Sequence, residues 1–300
     1  MTLQNFEAGP SVAAAAPVGA AAEETVGVFE PVCAAAEETV GVFEPAAWPG
    51  ALAVPTGSDA DIWLLRVPSA WLTETPLNDA VLDGTERRRA AAFIHPADRA
   101  GYVAAHVALR RLLGAYLGVS ARSVRYRRDP CPCCGGPHGR PTLLASSPPY
   151  FSLSHAGDLV LIGVAGVPIG VDVERRPQAH TVDAVSGLLH PCERDGIAAA
   201  APERRAAVFT RLWARKEAYL KGLGSGLGRA PNLDCTSGDP GAPAPPAGWQ
   251  LTDLPVGTAH VAAAVRGTAP GQVVLRELGV EGVLAPFGGV PGHGSTGPRR

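Results

Sequence analysis

Lysine is almost missing from this chain. Of its 26 basic residues, only Lys216 and Lys221 are lysine, and the rest are arginine. Basic residues of either kind are missing before Arg66, so the carboxylates from Glu7 to Asp61 run unopposed. Net charge is only -2 over 300 residues, which argues against bulk attraction to nucleic acid or to a membrane surface. No run is long and apolar enough to span a bilayer. The Ala/Val run Val12 to Ala22 has no basic segment ahead of it, and Glu7 and Pro17 intrude, so it does not read as a secretory signal. Six cysteines in a chain of this length make no disulfide scaffold. The expected location is the cytoplasm. No Gly-x-Ser-x-Gly is present, which removes the nucleophile elbow of serine hydrolases.

What is present is unevenly distributed. Residues 1–58 are read as a disordered tail. Fourteen residues from Val18 recur from Val32 with Cys33 in place of Gly19, too short a unit for a solenoid and too poor in large apolar groups to offset ordering entropy. Order is expected from Asp61, with Ile62–Val67 as a strand. A polar helix carrying Glu86 to Arg89 follows. A long helix runs from about 97 to 118, with Tyr102, Val103, His106, Val107, Leu109, Leu113, Tyr116 and Leu117 as its core stripe. Cys131, Cys133, Cys134 and His138 then crowd one short stretch. The adjacency of Cys133 and Cys134 and the lack of a second cluster favour a Gly/Pro-rich loop over a zinc knuckle. Tyr150–Gly157 reads as a strand entering a turn. Leu159–Val164 and Ile169–Glu174 read as a hairpin joined by Ala165-Gly-Val-Pro168. A helix over 202–223 ends at the glycine run Gly222–Gly228, and three further strands lie at 249–254, 259–265 and 273–278. The chain from Phe287 on is Gly-rich and expected to be disordered.

The chemistry concentrates in two of these elements. Alternation along a strand sets Asp172 and Glu174 on one face, with Val171 and Val173 on the other. Helical spacing sets Trp213, Glu217 and Lys221 on one face. Two charged explanations are plainer: a solvated strand end beside Arg175 and Arg176, and a solvated helix face. The scarcity of lysine weighs against them, because a compact ammonium suits phosphate where a guanidinium fork does not. Three carboxylates with no His or Cys among them suit a hard cation such as magnesium, with phosphate oxygens completing the shell. Ser154 and His155 are adjacent on a strand and point to opposite faces, so they make no nucleophile–base pair. A zinc-dependent nucleic-acid module built on Cys131–His138 lacks a second ligand cluster and a basic balance. A catalytically dead interaction protein would have no use for the intact carboxylate set.

Phe-Ser-Leu-Ser-His155, Gly170-Val-Asp172-Val-Glu174 and Trp213-Ala-Arg-Lys216-Glu217-Ala-Tyr-Leu-Lys221 together resemble the ordered motifs of 4′-phosphopantetheinyl transferases of the long, Sfp-type class. Gly139-Arg140-Pro141 is similar to that family's upstream Gly-basic-Pro element. The resemblance implies an α+β fold of two similar α/β halves, about 59–165 and 166–286, related by a pseudo-twofold axis with the active site in the cleft between them. It implies a monomer that moves phosphopantetheine from coenzyme A to a serine of an apo acyl or peptidyl carrier protein, releasing adenosine 3′,5′-bisphosphate. By the same resemblance Asp172, Glu174 and Glu217 would hold Mg2+, Glu217 would activate the serine, and Lys221, with Lys216, would face coenzyme A phosphates. Arg140 and Pro141, after Gly139, would line the adenine side. Ser154, His155 and Arg89 would meet the nucleotide phosphates. The resemblance breaks at Ala92 and at Ala100-Gly101, where relatives carry arginine.

Overall fold

The computed structural model describes residues 42–43, 52–73, 79–144, 148–257 and 259–284. Most of the repeated N-terminal segment, and the stretch from Phe287, lie outside the described residues. The first half holds β1 (Val42–Phe43), β2 (Ala60–Arg66), α1 (Ser69–Thr73), α2 (Gly84–Ala91), α3 (Pro96–Leu117), β3 (Tyr126–Arg128) and β4 (Pro141–Leu143). There follow β5 (Tyr150–Ala156), β6 (Leu159–Ala165), β7 (Ile169–Glu174), α4 (Ala179–Val185), α5 (Pro191–Ala199) and α6 (Pro202–Leu223). The described chain closes with β8 (Trp249–Val256), β9 (Ala259–Arg266), β10 (Val273–Leu278) and α7 (Val280–Leu284).

The architecture is α+β, and strand alternation builds its layers. One sheet has the order β1-β10-β2-β6-β5, and a second has the order β7-β9-β8. Along β2, Trp63 and Leu65 face one way and pack with Phe151, Ile162 and Leu112 of α3. Ile62 and Leu64 face the other way and pack with Leu161 of β6, Val171 of β7 and Val261 of β9. Beyond the second sheet, Ala262 and Ala264 of β9 meet Ala214 and Ala218 of α6. The order through the molecule is therefore α3, large sheet, small sheet, α6. Period-two patterning permits this because β2, β6, β7 and β9 bury both faces.

Both long helices have 22 residues and the same punctuation. Each has proline in its first turn, where the missing N–H costs nothing, and each ends at a left-handed glycine, Gly118 or Gly224. The glycine run after Lys221 is thus a helix cap, as its position after a helix suggests. Two expectations change. β6 and β7 form no hairpin, because β6 is hydrogen-bonded on both edges, by β2 and by β5. With no edge open, β7 crosses to the second sheet and pairs with β9. The hairpin is β5–β6, closed at Gly157-Asp158. The fold also takes in residues before Asp61: Leu52 and Val54 lie against the core, and the Leu52 N–H donates to the Ala115 carbonyl at 3.2 Å.

Candidate active site

The site begins with a contact between two backbones. Gly170 on β7 lies so close to α6 that a Cβ there would sit 1.9 Å from the Ala218 carbonyl oxygen and 2.3 Å from the Gly222 nitrogen. Only a residue without a side chain permits that approach. It sets α6 flat on β7 and brings Lys221 over Asp172, two residues further along the strand.

Around Asp172 the polar groups close on one another. Lys221 Nζ lies 2.5 Å from Asp172 Oδ1, and Ser154 Oγ–H donates to the same oxygen at 2.8 Å. Lys221 Nζ also reaches Ser154 Oγ at 3.0 Å. The Ser154 hydroxyl accepts the Val173 N–H at 3.4 Å, and Ser152 accepts that of Val171 at 3.1 Å, so the two serines tie β5 to β7 across the sheets. Asp172, Glu174 and Glu217 are all buried, at 1%, 2% and 2% exposure. Buried carboxylates in such number need a cation or a proton. Burial, and then the charge of Asp172, push the Glu217 carboxyl above its ordinary range. Burial works against the Lys221 ammonium, but Asp172 and Glu217 outweigh it and hold its pKa above the usual lysine value.

The set suits a hard cation by its chemistry and by one atom. Asp172 Oδ2 is buried and takes no hydrogen bond, while its other oxygen is fully engaged. All donors are carboxylate oxygens, the preference of Mg2+. Lys221 occupies the Asp172 side of the cluster. Among the described residues, the trios of His, Cys, Asp or Glu ligand atoms lying mutually within 4.8 Å are cysteine–histidine sets, and these carboxylates are not one of them.

The remaining predicted residues are distributed about this centre. His155 points to the opposite side of β5 from Ser154, toward α3. Burial and the charge of Lys221 lower its pKa, so the imidazole is neutral at physiological pH. Opposite it, His106 donates its Nδ1–H to the Tyr102 carbonyl at 3.0 Å and stacks on the Tyr102 ring at 3.9 Å. Burial, with His155, Arg110 and Arg89 adding positive charge, takes its pKa down to about 4. The sequence stripe assigned His106 to the core; the ring is only half-buried, and no periodicity could show that it looks toward β5. Arg89 is exposed near the end of α2. Arg140 donates to the Gly222 carbonyl at 3.0 Å and to Asp129 at 3.2 Å, and lies 5.1 Å over the Tyr150 ring. Gly139 precedes it, its N–H donating to the Asp129 carbonyl, and Pro141 opens β4 opposite Arg128. The C-terminal end of α6 thus carries both Lys221 and the carbonyl that holds Arg140.

Lys216 is a correction. It is buried at 1% exposure, ion-paired with Glu193 at 3.0 Å, and donates to the Asp234 carbonyl. Glu193 also accepts from the Thr236 N–H and hydroxyl. Lys216 therefore holds α5 and the 234–236 segment against α6, away from Lys221, and a Cys192–Cys235 disulfide ties the same two segments. Trp213, on the face expected for Glu217, is fully buried and stacks on Phe209 at 5.9 Å.

The site can be set beside known proteins. The family model described as 4′-phosphopantetheinyl transferase superfamily matches residues 168–255, from just before β7 to the end of β8. The 4′-phosphopantetheinyl transferase HetI of Nostoc sp. is 30% identical over 203 residues, covering 65% of this chain and 82% of that protein. A 4′-phosphopantetheinyl transferase of Bacillus subtilis is 29% identical over 49% of this chain and 62% of its own length. The 4′-phosphopantetheinyl transferase AcpT of Salmonella typhi is 32% identical over 34% of this chain and 54% of its own. The chain belongs to the 4′-phosphopantetheinyl transferase superfamily. Membership makes it an enzyme of that transferase class, with coenzyme A as the family's substrate.

Proposed function

We propose that this protein transfers 4′-phosphopantetheine from coenzyme A to a serine of an apo acyl or peptidyl carrier protein, with Mg2+, as a soluble cytoplasmic monomer of the long, Sfp-type class. The observation that carries the reading is the junction of β7 and α6, where Lys221 pairs with Asp172 and the buried Glu174 and Glu217 stand on the same two elements. The reaction forms a bond from the serine oxygen to the phosphorus next to pantetheine. It breaks the phosphoanhydride bond, and the electrons of that bond leave with adenosine 3′,5′-bisphosphate.

Each side chain has a part. Asp172, Glu174 and Glu217 would hold Mg2+, which when bound offsets charge on the pyrophosphate. Glu217, the helix-borne carboxylate of the set, takes the serine proton. Lys221, kept charged by Asp172, neutralises a pyrophosphate oxygen. Ser154 sets the position of Asp172 and Lys221. His155 offers a neutral N–H toward a phosphate, and Arg89 an exposed cation near it. Arg140, fixed by Asp129, Gly222 and Tyr150, forms the wall on the adenine side. The paired 22-residue helices, each backed by its own sheet, support the reading of two similar halves with the site between them.

The test is intact-mass spectrometry of apo carrier proteins incubated with the enzyme and coenzyme A, with magnesium or with EDTA. The expected result is a gain of one phosphopantetheine, only with magnesium, and its loss in Asp172→Ala and Glu217→Ala. Transfer at the wild-type rate by either variant would overturn the assignment of the carboxylates.

A further inference from the structure

The stretch between β3 and β4 takes no part in the cluster described above, yet it is built with care. Its strands pair Tyr126 with Leu143 and Arg128 with Pro141, and residues 129–140 form the loop at their end. The loop folds back on itself. The Gly135 N–H donates to the Cys131 carbonyl and the Cys131 N–H to the Gly136 carbonyl, both at 2.8 Å. Cys134 Sγ lies 3.0 Å from His138 Nε2. The sulfurs of Cys131 and Cys134 and a ring nitrogen of His138 all lie within 4.8 Å of one another.

We propose that Cys131, Cys134 and His138 form a zinc site that fixes the β3–β4 loop. Tetrahedral Zn2+ with Zn–S of about 2.3 Å and Zn–N of about 2.0 Å separates its ligand atoms by roughly 3.5–3.8 Å, and three atoms gathered within 4.8 Å need only small movements to take one. Two thiolates and an imidazole select zinc over the magnesium that suits the carboxylates. An independent feature points to the same place. A Cβ on Gly136 would lie 3.0 Å and 3.2 Å from His138 ring atoms and 3.3 Å from the Cys134 sulfur. The glycine leaves room for imidazole and thiol to converge. Cys131 is buried, Cys134 and His138 are exposed, and the exposed Cys133 or water completes the shell.

The consequence is local. The Asp129 N–H donates to the Arg140 carbonyl and the Gly139 N–H to the Asp129 carbonyl, both at 3.0 Å. A metal joining Cys131, Cys134 and His138 ties off the loop directly ahead of the residue that clasps α6 at Gly222. Its binding free energy offsets the entropy cost of ordering a glycine- and proline-rich stretch without a core of its own.

The experiment measures metal and does not depend on transferase activity. The full chain, purified without chelator under reducing conditions, is assayed for zinc by inductively coupled plasma mass spectrometry and for cobalt uptake by absorption. One zinc per chain is expected, with a tetrahedral thiolate spectrum on cobalt exchange. Cys131→Ser and Cys134→Ser should lose it. Cys192→Ser, which breaks the other cysteine–histidine trio (His190, Cys192 and Cys235), should keep it. Wild-type protein that neither contains zinc nor takes up one equivalent after reduction overturns the proposal, and so does zinc that is lost in Cys192→Ser but kept in Cys134→Ser. Because wild-type metal content is read directly, the result stands even where a variant fails to fold.

Discussion

Replacing Gly170 by alanine adds one methyl group at the point where β7 and α6 touch. The atoms it would meet, the Ala218 carbonyl oxygen at 1.9 Å and the Gly222 nitrogen at 2.3 Å, are helix backbone and cannot rotate away. Overpacking costs about 1–3 kcal/mol, and a contact this short with rigid atoms belongs at the upper end. At roughly 2–4 °C per kcal/mol for a domain of this size, about 3 kcal/mol lowers Tm by roughly 6–12 °C. The helix relieves the clash by moving off the strand, and Lys221 and Glu217 move with it. A displacement of about 1 Å in a reacting geometry costs on the order of 100-fold in rate. The assay pairs thermal melting with carrier modification followed by intact mass. Gly196→Ala is the control: it lies exposed in α5, nothing lies within 4 Å of an added Cβ, and helix propensity predicts a gain of about 0.5–1 kcal/mol. Gly170→Ala melting and reacting like wild type would refute the backbone contact. A lowered Tm with unchanged kcat/KM would leave the packing intact and refute its link to the site.

Two further outcomes are expected. The folded state holds the Glu217 proton to higher pH than the unfolded chain does, so this group takes stability away as pH rises through its unfolded and then its folded pKa. Glu217→Gln should therefore melt higher than wild type at about pH 8, with the gap closing toward about pH 4, while transfer falls by 100-fold or more; a variant less stable than wild type at the higher pH would count against this. Lys216→Met leaves buried Glu193 without its ammonium, at a cost of about 3–5 kcal/mol. Its KM for coenzyme A should stay within about twofold of wild type, since Lys216 faces away from Lys221, and a KM rise without a stability loss would restore Lys216 to the site.

The elements were legible where local chemistry decides them. Proline at the start and glycine past the end mark α3 and α6, and alternation fixes which way Asp172 and Val171 point. What the sequence could not carry is which edges are already taken. Leu159–Val164 and Ile169–Glu174 look like a hairpin because a short turn lies between them. Only the pairing of β2 with β6, residues separated by about a hundred positions, removes that option. Leu52 and Val54 were hidden in the same way: two apolar residues in a glycine- and alanine-rich tail pack against the core only because Ala115 and its neighbours offer them a surface. The cysteine loop shows the limit of spacing rules. Adjacent Cys133 and Cys134 spoil the pattern on paper, but the turn at Gly135 gathers Cys131 with Cys134 and His138.

The two lysines make the same point about the site. Their rarity marks α6 as unusual, and both do meet carboxylates: Lys221 meets Asp172, and Lys216 meets Glu193. Rarity cannot separate them, because each ammonium is paired with a buried carboxylate. Helix geometry separates them. At about 100° per residue, Lys221 stands roughly 40° from Glu217 but about 140° from Lys216. The two lysines therefore look to nearly opposite sides of α6, one toward β7 and the carboxylates, the other toward α5 and the 234–236 segment. A helix that lies flat on a strand must be held from behind as well. Lys216 does that from the far side, and its ion pair keeps in register the face that carries Glu217 and Lys221.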